Sequence, residues 1–433
     1  MGGGIFGFLN MKDSNKVRVQ CRECHQAVKD FEWMDDKSWI KGSLKKWRAA
    51  FPLARMVNVS GRDIVDADFV HIRGDARVRL HTVNVSKCTE FTHKAFKHLN
   101  GIHTLDMSGC FQEEITDAAF VHLRGIHTLN MSECNQPTIT DAAFVHLRGI
   151  HTLKMNYCDQ ATITDAAFAH LRGIHTLDMT DCNQETITDA AFVHLRGIYN
   201  LSIAECTQFT DAAFVHLRGI KVLNLYGCIQ ITDAAFVHLQ GIHELSIDNC
   251  NQVTITDAAF ANLKGIHAFS MWGCSQPTIT DAAFVNLVGI NLLMMRECTQ
   301  ITDAAFVHLR GIQILIIDGC NQSTITDAAF VHLSGIQALE MAGCDQATIT
   351  DAAFVHLKGI EMLVLDGCRQ ITRAAMTHLV GIKRLFTEKC QRGVRDEAVK
   401  LLGGREKKSA AKREAQRLSN TLNWRYSGDY VKR

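Results

Sequence analysis

Fourteen cysteines, Cys88, Cys110, Cys134, Cys158, Cys182, Cys206, Cys228, Cys250, Cys274, Cys298, Cys320, Cys344, Cys368 and Cys390, recur every 22 or 24 residues, each inside a near-copy of one phrase. A unit this short cannot enclose its own apolar face, so the copies must stack and bury a continuous core between neighbours. Over Ile126–His146 the phrase is IHTLNMSECNQPTITDAAFVH. The period predicts an α/β solenoid of about 14 repeats, one per cysteine, with a curved parallel sheet inside and short helices outside. Residues 56–392 form this array, 1–55 an N-terminal cap and 393–433 a basic tail.

Within one repeat, alternation places Leu105 and Met107 on the core face of a strand and Thr104, Asp106 and Ser108 on the other. Thr140 stands at a helix N-cap, and Asp141 brings negative charge to the positive end of the helix dipole. Ala143, Phe144 and Leu147 make the buried stripe, and Gly149 takes the left-handed conformation that ends the helix. The step from the helix-start aspartate to the next cysteine is fixed at 17 residues, as in Asp117 to Cys134. Length varies only in the turn after the cysteine, CNQETITD from Cys182 against CTQFTD from Cys206, where insertions are tolerated best.

The net charge of +1 gives no global field to recruit nucleic acid or acidic lipid. No run approaches 18 apolar residues and the N-terminus lacks a cleavable leader pattern. The column cysteines are expected to be free, buried thiols with a structural role, each bonded to a turn carbonyl. A reducing compartment follows, the cytoplasm with the nucleus as the alternative. No nucleophile elbow, phosphate loop or zinc-protease motif is present, and like groups in rows do not make a catalytic site, so a non-enzymatic role without cofactor is expected.

The start I-x-x-L-x-M-x-x-C fits the leucine-rich repeat template. The string C-x-x-I-T-D at Cys228–Asp233 and Cys298–Asp303 resembles the cysteine-containing leucine-rich repeat subfamily, over roughly Met56 to Gln391. Many members of that subfamily are F-box proteins, substrate receptors of SCF-type ubiquitin ligases. The resemblance implies a substrate-binding array behind a segment that binds a Skp-type adaptor and a cullin, and WIKGSLKKWRAAFP over Trp39–Pro52 is similar to the end of an F-box. The leucine-proline start of an F-box is absent. Phenylalanine in place of the family's helix leucine, a shorter helix and the two-residue turn insertion are further departures.

Comparison of the repeats with one another separates constant from variable positions. ITDAAFVHLRGI barely changes, whereas the strand's outward positions change freely, which points to recognition of a partner polypeptide on the concave face. The residue after the core leucine includes Lys154, Met294, Ile316 and Glu340; two residues further come Tyr226, Asp248, Trp272, Arg296, Asp318 and Asp366. These ten are the candidate partner-binding residues, because aromatic and aliphatic groups rimmed by charge concentrate binding energy. A stand-alone scaffold is the alternative to the ligase subunit.

Cys21, Cys24 and His25 spell C-x-x-C-H, half of a zinc site or a haem-attachment pattern; a metal or redox role is the remote alternative to a cap. Histidines recur in the helix, as His122 and His146, and before the strand, as His103, His127, His151 and His175. Stacked imidazoles would repel when charged, so mild acid is expected to loosen the array. The tail sequence REKKSAAKREAQRL reads as a solvated basic extension, with nuclear import or nucleic-acid contact as alternatives.

Overall fold

Each repeat delivers one three-residue strand, and within each of two units the strands stack in parallel in chain order. The computed structural model describes residues 10–18, 22–35, 39–73 and 80–403. The chain divides into two units, Met1–Ile198 and Tyr199–Arg433. The first unit holds β1 (Met56–Asn58), β2 (Thr82–Asn84), β3 (Thr104–Asp106), β4 (Thr128–Asn130), β5 (Thr152–Lys154) and β6 (Thr176–Asp178). The second holds β7 (Asn200–Ser202), β8 (Val222–Asn224), β9 (Glu244–Ser246), β10 (Ala268–Ser270), β11 (Leu292–Met294), β12 (Ile314–Ile316), β13 (Ala338–Glu340), β14 (Met362–Val364) and β15 (Arg384–Phe386).

Within each unit equivalent residues face one another: Leu105 pairs with Leu129 and Leu153 with Leu177 in the first, and Leu223 with Leu245 and Leu245 with Phe269 in the second. Register survives a change of repeat length because the two extra residues stay in the turn. The fold is the α/β solenoid that the period predicts. Fifteen strands among the described residues exceed the fourteen cysteines by one, since the first repeat, with β1, carries Arg62 where the others carry cysteine.

Core composition follows the phrase. Leu105, Met107, Cys110, Ile115, Ala119, Phe120, Leu123 and Ile126 are all buried. The helix is one α-turn, Asp117–Phe120, tightened into a 3₁₀ turn at Val121–Leu123; with i to i+3 bonding the same residues make a narrower, more extended turn. Thr116 caps it, its hydroxyl accepting from the Ala118 N–H. Gly125 at φ +79° ends it, a conformation that costs a residue bearing Cβ.

At the N-terminal end, the helices Met11–Arg18, Arg22–Asp30 and Leu44–Ala50 precede β1. Met11, Val28, Trp33, Ala50, Phe51 and Ala54 form their own buried cluster. The Arg48 guanidinium is buried against backbone, donating to the carbonyls of Phe51, Ala54, His71 and Ile72. Burial pulls it down to about 10, still a cation at neutral pH. At the other end the helix Arg392–Leu401 buries Val394 and Ala398. Cys21 and the tail from residue 404 lie outside the described residues; Cys24 is partly exposed on the helix Arg22–Asp30. No cluster of three or more metal-ligating side chains occurs among the described residues.

Candidate protein-interaction surface

Strand alternation gives each sheet a face opposite the core, and the two units furnish it differently. In the first unit it is polar and self-bonded. Asp106 Oδ1 accepts from the Ser108 N–H at 3.1 Å and from Asn130 Nδ2 at 3.1 Å, and Asn130 Oδ1 accepts from the Ser132 hydroxyl at 2.7 Å. Lys154, half-buried, belongs to this unit, apart from the other nine candidates.

In the second unit the face has a floor and a rim, which corrects the expectation that all the remaining candidates offer surface. Met294 and Ile316 are 4% and 1% exposed and pack with Val222, Ala268 and Leu292 in a second apolar cluster. Ala338, Met362, Val364 and Phe386 form another. Asp248 and Glu340 are buried as well, at 0% and 2%. Parallel strands about 4.8 Å apart set large side chains of successive repeats against each other, so they cover one another. The strand position before the core leucine, threonine through much of the first unit, turns apolar at Val222, Leu292, Ile314 and Met362. That shift was the signal for the floor, and the candidate set omitted it.

Tyr226, Trp272, Arg296, Asp318 and Asp366 remain partly exposed along the rim. The acids of floor and rim also hold the stack. Asp248 Oδ1 accepts from the Trp272 N–H at 2.8 Å and from the Ser270 hydroxyl; Asp318 Oδ1 accepts from Ala342 N–H at 2.7 Å and Asp366 Oδ1 from Glu388 N–H at 2.6 Å. Arg296 spans three repeats, lying 3.1 Å from Asp318 and 3.0 Å from Glu340. Burial first, then the nearby Asp318, lifts the Glu340 carboxyl to about 7 against the pull of Arg296. Burial likewise raises Asp318, again opposed by Arg296. Tyr226 is fixed by a 2.9 Å bond from Asn249 Nδ2 to its hydroxyl.

The cysteine column lies on the core side. Cys134 Sγ donates to the Met107 carbonyl of the preceding repeat at 3.2 Å, and Cys274 to Ile247 at 3.0 Å. The acceptor is the residue two beyond the core leucine, where the strand runs into its turn. Burial, reinforced by the neighbouring thiols Cys158 and Cys110, pushes Cys134 well above the ordinary thiol range, and burial takes Cys110 and Cys250 to about 12. Thiols so placed are neutral and unreactive. Two further columns were missed by the sequence reading. Gln136 Nε2 donates to the Cys110 carbonyl at 3.1 Å and Gln276 to Cys250 at 3.0 Å. Asp117 accepts from Thr140 one repeat on, at both its N–H and its hydroxyl. The Q-x-x-I-T-D constancy was visible, but its cause is a contact between repeats.

Stacked strand, capped short helix and inward thiol, joined to a furnished sheet face, define a leucine-rich repeat solenoid. The model of the BspA type leucine rich repeat region matches in 6 copies, over residues 77–175, 185–313 and 253–383; the chain belongs to that family. Among solved structures it is similar to TLR13 in a complex with ssRNA13 (15% identity, TM-score 0.53, covering 80% of this chain and 55% of that one). It is similar too to a Toll–Spatzle complex of Drosophila (14%, TM-score 0.57, 80% and 52%) and to the yeast Rad7–Elc1 complex (15%, TM-score 0.46, 79% and 90%). It spans about half the length of the first two. No curated protein matches the chain. No helix among the described residues is long and apolar enough to cross a membrane.

Proposed function

We propose that the chain is a non-catalytic binding scaffold that holds a partner polypeptide on the sheet face of the second unit, at Tyr226, Trp272, Arg296, Asp318 and Asp366. The observation that carries this reading is the division of that face into a sealed apolar floor and a partly exposed, pre-set rim. Arg296 between two carboxylates and Trp272 anchored through its backbone to Asp248 are held before any partner arrives, which lowers the ordering cost of binding. Met294, Ile316, Asp248 and Glu340 act beneath it as support.

The narrower reading, a substrate receptor of an SCF-type ligase, needs an adaptor surface within residues 1–55. There Trp39 donates to the Ser60 carbonyl at 2.7 Å and Arg48 is bonded to the first repeats, which favours a cap and thus the stand-alone scaffold. The test is affinity purification of the intact chain beside a Trp272→Ala/Arg296→Ala variant. Polypeptides recovered by the first and lost by the second are expected; identical recovery overturns the placement. A Skp-type adaptor and a cullin retained by both, and lost on deleting residues 1–55, would restore the ligase reading.

A further inference from the structure

In the first unit, the turn that leads from each short helix into the next strand carries the same basic pair at successive steps. Arg124, Arg148, Arg172 and Arg196 stand exposed immediately before the turn glycine. Three residues after Arg124, Arg148 and Arg172 come His127, His151 and His175, and His81 and His103 extend the row backward. The five imidazoles are stacked, with centroids 4.4 to 4.5 Å apart and planes within 16°. From His103 to His175 each Nδ1 lies 3.1 to 3.2 Å from the hydroxyl of the following threonine. In His103, His127 and His151 that leaves Nε2 to meet a ligand.

The arginines are held as well. Arg124 Nε donates to His146 Nδ1 at 3.2 Å, Arg148 to His170 at 3.2 Å and Arg172 to His194 at 3.3 Å. Each bond fixes the guanidinium through Nε and leaves its Nη pair for a second partner. Both columns share one edge: the equivalents of the stacked histidines in the second unit, Lys221 and Gln313, reach the turn-glycine carbonyls of Gly241 and Gly311 at 2.9 Å. The segments 121–128, 145–152 and 169–176 contain no acid. The helix-start carboxylates Asp117, Asp141 and Asp165 are bonded to Thr140, Thr164 and Thr188.

We propose that this edge is a second binding site, for a single strand of nucleic acid held through its phosphates. A fixed guanidinium presents two parallel N–H groups, the geometry that oxyanions take up bidentately, and one per repeat makes a line of charge along the stack. A phosphodiester chain carries a charge at every residue and bends to follow such a line. The imidazole faces are occupied by one another, so bases find no stacking platform; affinity comes from phosphates and is indifferent to sequence. The net charge of the whole chain hides this local array. The site is independent of the partner surface in the second unit.

The test is fluorescence anisotropy of the full chain with a labelled 20-nucleotide oligothymidylate between 50 and 200 mM salt. Three phosphate contacts, at Arg124, Arg148 and Arg172, predict a slope of log K against log salt near −2, at about 0.7 per contact for single strands. The quadruple variant Arg124→Ala/Arg148→Ala/Arg172→Ala/Arg196→Ala loses at least tenfold in affinity and most of the slope. Arg148→Glu/Arg172→Glu, with two exposed positions changed, loses binding while its far-UV circular dichroism stays that of the parent. A chain ending at Gly403 binds as the full chain does. No binding at 50 mM salt, binding unaffected by the variants, or loss on removing the residues after Gly403 overturns the proposal. So does equal binding of a polyglutamate peptide or of phosphatidylserine vesicles.

Discussion

Asp117 holds Thr140 of the next repeat by both polar groups: Oδ1 accepts its N–H and Oδ2 its hydroxyl, each at 2.8 Å. Thr140 in turn caps its own helix by accepting from the Ala142 N–H at 3.2 Å. One residue therefore closes a helix and joins two repeats, and the relation recurs at Asp233 with Thr256 and Asp327 with Thr350. In a stack where each repeat touches only its neighbours, such links carry the cooperativity.

Asp117→Ala removes both bonds and strands the Thr140 N–H. The expected cost is about 2 kcal/mol, read as faster amide exchange at Thr140 and its neighbours, with the repeats of the second unit unchanged. Exchange at Thr140 equal to that of the parent would show that the clamp contributes nothing.

The thiol column predicts chemical silence. Intact mass after iodoacetamide at pH 8 under native conditions should show the column cysteines unmodified. In denaturant all 16 cysteines should react. Native alkylation of several column thiols would mean that the repeats do not bury them.

The stacked histidines and the buried Glu340 should respond to acid in opposite directions. Burial, with neighbouring imidazoles next, holds His103, His127 and His175 below the ordinary value of 6.5. The unfolded chain then binds more protons as pH falls through that range, and the first unit loses stability. Glu340 is raised from 4.5 to about 7, so the folded second unit keeps a proton that the unfolded chain releases between those values; this group's contribution to stability rises as pH falls from 7 to 4.5, against that of His243 and His332, which burial holds low. Amide exchange resolved by unit at pH 7.5 and 5.5 should show the first unit loosening, and Glu340→Gln should make the second unit lose more stability on acidification than the parent does. A second-unit acid response unchanged by Glu340→Gln would contradict the assignment.

Floor and rim are separable by substitution. Met294→Ala should cost about 3 kcal/mol through the cavity it leaves, whereas Trp272→Ala, at a partly exposed position, should stay within about 1 kcal/mol and act on binding instead. Urea melts of the two variants check this; equal destabilisation would merge the two layers into one.

The recurrence of Cys88 through Cys390 made the solenoid, its strand faces and its capped turns legible, because period and alternation are local properties of the chain. What the chain hid depends on the next repeat. Asp117 read as a helix-dipole partner because Thr140 is 23 residues away. Gln136 read as a turn residue because the carbonyl it satisfies belongs to Cys110. Alternation placed Met294 and Ile316 on the face away from the core, and they are there. It could not show that Val222, Leu292 and Ile314 would cover them, since that follows from the spacing between strands.

The account rests on the sheet face of the second unit being where another polypeptide binds. The most direct measurement is photo-crosslinking with a benzophenone side chain at position 272, on the rim, against the same group at position 121, on the exposed helix side. Discrete polypeptide adducts from 272, absent from 121 and lost when Arg296→Ala/Asp318→Ala is added, are predicted. Matching adducts from both positions, or none from 272 under conditions where partners copurify, would contradict it.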